Sequence, residues 1–515
     1  MPLFVVLGGN RPDPATFALF EVILISQKSG ETSPLSGQVA HTHTDQMASL
    51  AERFWFNFRR QREYHLLQPA LHPPPRTYRR VAFRLCCYLL IFLCTLIVIR
   101  CFTAAAYPSY THPPAHYTSL RRQVSQSELP GRGNIRNEKV FITASLYDPT
   151  GELAGGAWGF SILQLITLLG EENVFLSIYE NEIEIKDENG PPRSSTRKQS
   201  SAARLALEHL GDRVPCNKSI VYESLDLDQL PTVVIPATGE KRVKRITYLA
   251  ETRNRALRPL DSDRDRGSHE TVRFDKLLFL NDVVFDPINA LQLLFSTHAD
   301  SNGIAQYRAA CAVDFINPFK FYDTYATRDH EGYSMGLPFF PWFSNAGSGR
   351  SREAVLAGSD SVPVRSCWGG MVAFDAQYFY NASSMIPAAG GDLPARFRAL
   401  ADSDYRWDAS ECCLIHADIQ RPRNGEDRET GVYMNPFVRV AYDTTTLPWL
   451  SATRQFEGLY SGVQRIGNYL VGLPWFNPRR EDQVGGFDGF CGRRGRGLQV
   501  VTPRREGKKG WQTIP

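Results

Sequence analysis

The sequence predicts an α/β fold, a mixed central sheet flanked by helices, over the region that begins near residue 139. Two short apolar runs, 140–146 and 174–179, are typical of buried strands. Between them, residues 155–169 carry apolar side chains at helical spacing and stop at a glycine. A third apolar run, 277–280, ends abruptly in an Asn-Asp pair. Strands and helices that alternate in this way build the right-handed units of nucleotide-binding sheets.

The same alternation continues along the chain. We expect helices at 202–210, 245–260 and 410–419, strands at 218–222 and 309–315, a small-residue turn before a strand at 364–374, and a late strand or turn at 431–440. A further helix is possible near 45–66, in an N-terminal region that otherwise predicts disorder. Periodicity fades after residue 445, and the Gly- and Arg-rich final stretch predicts disorder as well.

Composition excludes several classes of protein. Hydrophobic residues make up 43% and charged residues 22% of the 515 residues, which is ordinary for globular proteins. The net charge of +4 is small for this length, so no nucleic-acid partner is expected. Ten cysteines include no C-x-x-C pair, which argues against a zinc site of that type. Disulfide pairing among the six cysteines after residue 200 stays open.

One apolar stretch predicts a membrane anchor. Residues 85–99 carry no charge, and with their neighbours they reach the roughly 20 residues that cross a bilayer. Arginines crowd the N-terminal side, which places the N-terminus in the cytosol and predicts a single-pass type II protein. The alternative is a buried core helix. The expected organisation is a cytosolic region at 1–80, a transmembrane helix at 81–103, a lumenal stem at 104–137, a catalytic domain at 138–450 and a tail at 451–515.

The polar residues after the third apolar run form a candidate metal site. Ligands of open α/β sheets bind at the carboxyl ends of strands, where Asn281 and Asp282 would lie. A carboxylate and a carboxamide there can hold a hard divalent cation, which in turn can hold a diphosphate. Asp286 or Asp314 could supply a second acid. Alternatively, Asp282 only caps the next turn.

Two literal Asp-x-Asp triplets, 261–263 and 402–404, compete with this assignment. Both lie in strongly polar surroundings with no apolar strand before them. A motif is confirmed by its structural context, so both are interpreted as solvated loops.

Residues of the predicted helix at 410–419 form a second candidate group. Glu411 could act on an acceptor hydroxyl or orient it, or it could simply complement the helix dipole in the first turn. His416 and Asp418 could complete a metal shell, although an isolated histidine is more often structural.

Aromatic and basic side chains supply further binding candidates. Trp368 precedes Gly369 and Gly370, and together they could form an aromatic platform beside a closely approaching backbone, or a buried tight turn. Arg253 and Arg255 could bind a diphosphate or form an exposed helix face. The aromatic loop at 322–342 could cover a sugar site or be an ordinary surface loop. Glycosylation sequons at Asn217 and Asn381 agree with a lumenal domain.

Six short segments, taken in order, resemble a known family. They are KVFITASLYD at 139–148, TYLAETRNRAL at 247–257, FLNDVVF at 279–285, CWGG at 367–370, SEC at 410–412 and NPFVRV at 435–440. This order is similar to that of the fungal capsule-associated α-1,3-mannosyltransferases, glycosyltransferase family 69. The resemblance covers about 139–445 and leaves both ends of the chain uncovered.

The resemblance implies a type II Golgi membrane enzyme with a GT-A-like fold. It implies transfer of mannose from GDP-mannose to a glycan acceptor in α-1,3 linkage, with retention and with the help of a divalent metal, manganese. The assigned residues are Glu411 and Asp282 for catalysis, Asp282, Asn281, Asp314 and His416 for the metal, and Ser145, Tyr147, Arg253, Asn254, Asn281, Trp368, Gly369 and Gly370 for the nucleotide sugar.

Two alternatives remain at this point. One is a membrane-anchored, non-catalytic protein that binds glycans or assists polysaccharide assembly, because the usual second carboxylate is missing beside Asp282. The other is the same fold with a different nucleotide sugar.

Overall fold

A computed structural model describes most of the chain after residue 75. The described residues are 76–106, 110–181, 194–235, 238–262, 272–380, 394–400, 407–420, 430–479, 488–494, 498–502 and 511–514. The helix expected near 45–66, the triplet 402–404 and the sequon at Asn381 lie outside them. By internal contacts the chain divides into two units, Met1–Phe92 and Leu93–Pro515.

The first described element is one long apolar helix. Helix α1 runs from Arg76 to Ala106, and its side chains are exposed along most of its length. Its segment Arg80–Ile99 has a mean hydropathy of 2.5 and is long enough to cross a membrane. Length and composition are therefore those of a membrane anchor.

Ten further helices and sixteen strands follow in the described residues. The helices are α2 (Ala115–Gln126), α3 (Ala157–Leu169), α4 (Ser194–Arg213), α5 (Arg245–Leu257), α6 (Pro259–Ser262), α7 (Pro287–Ser296), α8 (Arg350–Leu356), α9 (Glu411–Ile419), α10 (Thr446–Arg454) and α11 (Tyr460–Leu470). The strands are β1 (Val140–Leu146), β2 (Val174–Asn181), β3 (Asn217–Glu223), β4 (Thr232–Val234), β5 (Lys241–Val243), β6 (Lys276–Leu280), β7 (Ala309–Asn317), β8 (Lys320–Phe321), β9 (Arg328–Asp329), β10 (Val362–Ser366), β11 (Met371–Asp375), β12 (Trp407–Ala409), β13 (Val432–Ala441), β14 (Gly492–Arg494), β15 (Leu498–Val501) and β16 (Trp511–Ile514).

The central sheet is mixed, as expected. Its order is β3-β2-β1-β6-β11-β7-β13-β10-β9, with β8 paired to β7. Strands β3, β2, β1 and β6 are parallel, and β11 runs antiparallel to both β6 and β7. β13 is parallel to β7, and all ten of its residues are buried. Both faces of the sheet are covered. Alternate residues of each strand point to opposite faces, and they fall into two separate hydrophobic clusters.

The strand order creates a crevice between β1 and β6. The chain passes from β1 outward to β2 and β3, and then returns to place β6 on the other side of β1. Ligands of open α/β sheets bind at the carboxyl edge where the connections leave in opposite directions, and the crevice here means this position. The Asn-Asp pair follows β6 directly at this edge.

The expected stem packs onto the sheet domain instead of only spacing it from the membrane. Tyr110 and Tyr117 are buried, and their rings contact Phe437 of β13. Asn435 donates a hydrogen bond of 2.6 Å from Nδ2 to the Tyr117 hydroxyl. Burial of these two large aromatic side chains stabilises the contact between this segment and the sheet. The described residues after 109 therefore pack against the sheet domain.

Regular structure also continues beyond residue 450, where it was expected to fade. The guanidinium of Arg439 on β13 pairs with both carboxylate oxygens of Glu457 at 2.8 Å. The short strand β14 pairs with β12, and a disulfide joins Cys413 of α9 to Cys491. A second disulfide joins Cys311 of β7 to Cys367. The described residues of the C-terminal part therefore belong to the packed body.

Candidate active site

The crevice brings the polar ends of β1 and β6 to the same level. Ala144 pairs with Leu280, so Ser145 and Asn281 follow at equivalent heights on neighbouring strands. Ser145 is half-buried, and Tyr147 lies further out with 43% of its surface exposed. Residues assigned from sequence to the nucleotide sugar therefore line one edge of the crevice.

Asn281 is held by four hydrogen bonds. Its backbone N–H donates to the Gly370 carbonyl at 2.9 Å, and its own carbonyl accepts from Trp158 Nε1 at 2.9 Å. Its side-chain Oδ1 accepts from Trp368 Nε1 at 3.1 Å and from Arg253 Nη1 at 3.2 Å. An amide oxygen has two lone pairs, and both are used here. Asn281 is thus a bridge between side chains, and its side-chain oxygen has no lone pair left for a cation.

Arg253 reaches the crevice from α5 and connects the predicted groups. Its guanidinium lies 4.5 Å from the ring centre of Trp368 and 5.1 Å from that of Phe279. Its Nε donates to Glu411 Oε1 at 3.2 Å, while Nη1 contacts Asn281. No acceptor among the described residues bonds Nη2. The planar group is fixed by stacking and by two hydrogen bonds, and its Nη2 nitrogen is still available to donate.

Glu411 lies in the first turn of its helix and also forms an ion pair. It is the first residue of α9, where Ser410 caps the helix by accepting the Cys412 N–H at 3.2 Å. At the same time its carboxylate is buried and pairs with Arg253. Because a buried carboxylate needs a cationic partner, this pair fixes the position of Glu411 relative to Asn281.

Asp282 is the exposed acid of the group. It follows Asn281 in a bend, with its side chain open to solvent. The surrounding protein raises the pKa of its carboxyl by desolvation, and the positive charge of Arg253 opposes that shift. The charge of Asp282 in turn raises the pKa of Tyr322 and of Tyr442, although burial and Asp314 have larger effects on both. Asp282 is therefore the carboxylate most accessible to a ligand.

A second acidic cluster lies beside it. Asp314 on β7 is fully buried, accepting from the Asp323 N–H at 3.0 Å and from the Tyr442 hydroxyl at 3.1 Å. Burial and the neighbouring Asp323 raise the pKa of Asp314 to about 8. A protonated carboxyl whose two oxygens both accept hydrogen bonds is a poor metal ligand at neutral pH. The structure thus brings Asp314 close to Asp282 but occupies its oxygens.

Asp323 and Tyr442 are site residues that the sequence did not reveal. Burial raises the pKa of Asp323, and hydrogen bonds from Ala326, Thr327 and the backbone N–H groups of Trp368 and Gly369 oppose this shift. Asp323 lies in the aromatic loop at 322–342, which has no periodic pattern that could have singled it out.

The Trp-Gly-Gly turn depends on its glycines. Gly369 and Gly370 have φ of 57° and 69°, in the left-handed region. A Cβ on Gly369 would collide with the Ala312 carbonyl, and one on Gly370 would come within 2.6 Å of Val283. The disulfide at Cys367 fastens the turn to β7. The backbone of this turn therefore approaches β7 closely enough to place Trp368 over Arg253.

Several predicted residues contact other parts of the protein. Asn254 exchanges two hydrogen bonds of 2.8 Å with the backbone of Phe397. Arg255 forms ion pairs with Glu223 and Glu251. These contacts give Asn254 and Arg255 structural partners on either side of α5.

The remaining candidate metal ligands are also engaged elsewhere. His416 lies in the core with Nδ1 2.7 Å from the Cys412 carbonyl, and burial lowers its pKa to about 4. Asp418 forms an ion pair with Arg398 at 2.8 Å. Asp286 caps α7 by accepting the Ile288 N–H at 2.9 Å. None of these three side chains joins the Arg253 group through a described contact.

The Asp-x-Asp triplets do not enter the described site either. Asp261 is exposed and pairs with Arg396 at 2.5 Å. Asp263, Asp402 and Asp404 lie outside the described residues.

The donor set suits a cation that is held mainly by its substrate. The one described cluster of potential ligands is Cys311, Cys367 and His416, and its two sulfurs already form a disulfide. Beside Asn281, the accessible anionic ligand is Asp282. Small divalent cations are often bound by one or two carboxylates together with substrate phosphates. The residues present therefore fit a metal through Asp282, but not through Asn281 or His416.

Comparison with known proteins bears on the identity of the chain. A solved structure, mannosyltransferase PcManGT from Pyrobaculum calidifontis in complex with GDP-Man and Mn2+, is similar at 11% identity and a TM-score of 0.30, over 72% of this chain and 74% of that chain. A similarity this low supports no conclusion about this protein. None of the curated proteins matches the chain.

The family comparison is more informative. The model of the family described as Cryptococcal mannosyltransferase 1 matches residues 139–418, more than half of the chain. This range contains β1, β6, the Trp-Gly-Gly turn and nearly all of α9, which together build the crevice and its polar group. The chain belongs to the family of Cryptococcal mannosyltransferase 1.

Proposed function

We propose that this protein is a single-pass type II Golgi membrane enzyme that transfers mannose from GDP-mannose to a glycan acceptor. The transfer forms an α-1,3 linkage with retention, and a divalent metal, manganese, assists it. The catalytic body has a GT-A-like fold and lies in the lumen, anchored by α1. The single observation that carries the proposal is the convergence of Asp282, Arg253 and Glu411 at the crevice between β1 and β6.

Asp282 would hold the metal together with the diphosphate of the donor. It is the exposed carboxylate at the carboxyl end of β6, where a bound diphosphate is expected in an open sheet. A divalent cation bound there would neutralise the charge that develops on the leaving diphosphate. The raised pKa of Asp282 predicts that metal affinity falls as the pH decreases toward the pKa.

Arg253 and Glu411 would act next to the reacting carbon. The available Nη2 donor of Arg253 can bind a phosphate oxygen while Nε remains bonded to Glu411. Glu411 would then orient or polarise the acceptor hydroxyl, with its position fixed by the same guanidinium. The Trp368 ring and the flanking glycines are buried, so they would act indirectly, by holding the Arg253 guanidinium in place beside the donor.

One observation favours a non-catalytic, glycan-binding protein as the second candidate. Asp282 lacks a second accessible carboxylate, since Asp314 is buried and bonded to Tyr442 and Asp323. In that case the crevice would bind glycan or nucleotide sugar without turnover. A third possibility keeps the enzyme and changes the donor sugar.

Measured transfer separates these candidates. Full-length protein in detergent should transfer mannose from GDP-mannose in the presence of Mn²⁺, and Asp282→Asn should lower kcat/KM by about 100-fold or more. The metal assignment further predicts a higher Mn²⁺ concentration for half-maximal activity in the variant.

The matched control is Asp261→Asn, which alters an exposed acid of a decoy triplet. It should leave transfer unchanged. Full activity of Asp282→Asn would refute the metal assignment. Binding of nucleotide sugar or glycan without any turnover by the wild type would favour the binding protein, and turnover with another nucleotide sugar would correct the donor.

A further inference from the structure

Helix α11 packs with its polar side facing inward. Gln464 and Asn468, one turn apart, are buried. Gln464 Nε2 donates to the Leu337 carbonyl at 3.2 Å, and Asn468 Oδ1 accepts the Leu337 N–H at 2.7 Å. Gly467 lies between them and permits a close approach to the Leu337 side chain. The helix is thus attached to the body by hydrogen bonds rather than by an apolar face.

The opposite side of α11 is apolar and exposed. Four large side chains of this helix, each between 63% and 87% exposed, make up what we call the outer apolar face: Val463, Ile466, Tyr469 and Leu470. Val463, Ile466 and Leu470 recur at the spacing of one helical stripe. Exposed apolar groups on a monomer are normally scattered, so a helix that exposes its apolar stripe indicates a partner for that side.

The chain itself restricts where this face can lie. Helix α1 ends at Ala106, and Tyr110 is already buried in the body. Four residue steps span at most roughly 14 Å, so Tyr110 lies within that distance of the end of α1. Arg454, the last residue of α10, donates from Nη1 to the Tyr110 carbonyl at 3.1 Å. The C-terminal end of α10, six residues before α11 begins, is therefore held near the end of α1.

The segment that contains α10 and α11 has few acids and several basic neighbours, which suits an anionic lipid surface. Residues 446–476 contain one acid, Glu457, which is buried and paired with Arg439. Arg465 is exposed on α11. Helix α10 also lines a cavity of about 320 Å³ that holds Arg121, Arg439 and Arg454.

One arginine of this cavity has an N–H group without a hydrogen-bond partner among the described residues. Arg454 Nε is buried without a hydrogen-bond partner among the described residues, and burial with the nearby Arg439 lowers the pKa of Arg454 to about 9. Asp286 offsets part of the charge by pairing with Arg121 at 3.6 Å. A phosphate oxygen would satisfy the remaining donor.

We propose that the outer apolar face docks on the bilayer that holds α1, with anionic phospholipid as the preferred surface. The proposal rests on the membrane anchor named under the proposed function, but not on catalysis. The tyrosine and aliphatic side chains of this face enter the interfacial layer, and the exposed Arg465 meets lipid phosphate. Docking would hold the catalytic body against the membrane instead of letting it swing on the tether.

Cleavage of the tether tests the docking directly. A protease site is inserted between Ala106 and Tyr110 of the full chain, which is reconstituted in phosphatidylcholine vesicles with or without phosphatidylserine. After cleavage, the body should float with the vesicles, and more of it should float when phosphatidylserine is present. The double variant Ile466→Glu, Leu470→Glu should lower the bound-to-free ratio of the cleaved body by roughly tenfold or more, because even one aliphatic side chain contributes that factor on burial.

Controls keep the outcomes separate. Leu205→Glu changes an exposed apolar residue of α4 and should leave flotation unchanged. The double variant should unfold at the wild-type temperature in detergent, and before cleavage it should still float through α1.

Three results would overturn the proposal. They are complete release of the wild-type body, equal retention of wild type and double variant, and a cleaved body that is dimeric in detergent and becomes monomeric in the double variant. The last result would assign the face to a second copy of the chain. Failure of the uncleaved chain to float would reject the anchor and the docking together. Loss of mannosyl transfer affects none of these measurements.

Discussion

Arg253 shows how one side chain can organise a site. It stacks on Trp368, pairs with Glu411 and donates to Asn281. These contacts need a flat group with donors in several directions, which guanidinium provides and ammonium does not. The positions of Glu411 and Asn281 therefore depend on the shape of the Arg253 side chain as much as on its charge.

Replacing Arg253 with lysine tests this dependence. The charge remains, but the stacking and one of the two hydrogen bonds are lost, so kcat/KM for mannosyl transfer should fall about 100-fold. Arg253→Lys should fail almost as badly as Arg253→Ala, whereas a purely electrostatic role predicts that lysine restores activity. Thermal unfolding of both variants checks that the fold survives.

Asp314 predicts a pH dependence of stability. Its pKa is raised to about 8 in the folded protein, from a usual value near 4. The folded state therefore holds a proton that the unfolded chain releases between about pH 4 and 8, and stability falls as the pH rises through that window. Below this pH window, Asp314 is protonated in both the folded and the unfolded state, and its full contribution to stability is present.

Asp314→Asn should remove this dependence. The amide keeps the shape of the protonated carboxyl but does not titrate. The free energy of unfolding of the variant, relative to that of the wild type, should therefore rise by up to roughly 1.4 kcal/mol for each pH unit in the window. Denaturant unfolding at pH 5, 6, 7 and 8 measures the difference. A difference that does not change with pH would show that Asp314 is ionised in the folded protein.

The sequence identifies some of these residues and not others. Asn281 and Asp282 could be found because they follow a recognisable apolar run, and Glu411 because it follows a capping serine. Asp323 could not, because it lies in a loop without periodicity, and Tyr442 could not, because it reaches Asp314 from a position distant in sequence. The assignment of a cation to Asn281 ignored the two donors that reach its oxygen from other elements.

At the scale of elements, the periodic segments agree well with the structure. The expected strands at 140–146 and 277–280 correspond to β1 and β6 within one residue. The expected helix at 410–419 corresponds to α9, also within one residue. The sequence predicts a strand or a turn at 431–440, and the structure has the fully buried strand β13 there, in which Asn435 and Pro436 interrupt the apolar pattern. Non-periodic regions gave no comparable signal.

The turn between β10 and β11 provides a test at this scale. Gly369→Ala places a methyl group against the Ala312 carbonyl and forces a left-handed conformation on a residue with a side chain. We expect a loss of roughly 1–3 kcal/mol of stability together with a large loss of transfer, since the turn carries Trp368.

Gly358→Ala is the matched control. This glycine also has positive φ, at 73°, but no atom lies within 4 Å of its added Cβ. It should lose stability without a specific loss of transfer. Equal effects on transfer in the two variants would mean that the close approach to Ala312 has no role at the site.

For the whole molecule, the packed body is larger than the segment that resembles the family. On the N-terminal side of that segment, Tyr117 forms a hydrogen bond with Asn435. On the C-terminal side, Cys491 forms a disulfide with Cys413. Neither contact could be anticipated, because the surrounding segments have the composition of a linker and of a tail.

Truncations should reveal these limits. A fragment of residues 110–515 should fold as a soluble body, whereas 138–515 should unfold at a lower temperature, because it lacks the buried Tyr110 and Tyr117. A chain ending at residue 450 should not fold, since it leaves Arg439 buried without Glu457 and Cys413 without Cys491. Thermal unfolding and protease resistance measure both effects, and identical behaviour of all three fragments would contradict them.

The position of β13 also affects the order in which the protein can be made. This strand lies between β7 and β10 inside the sheet, yet Val432 follows Asn317 by 115 residues. At ribosomal speeds of about 5–20 residues per second, the edge of β7 waits roughly ten seconds for its neighbour. During that interval an apolar strand edge is open to pairing with other chains. A protein with this topology depends on its folding compartment to shield that edge, so its yield is sensitive to translation rate and chaperone supply.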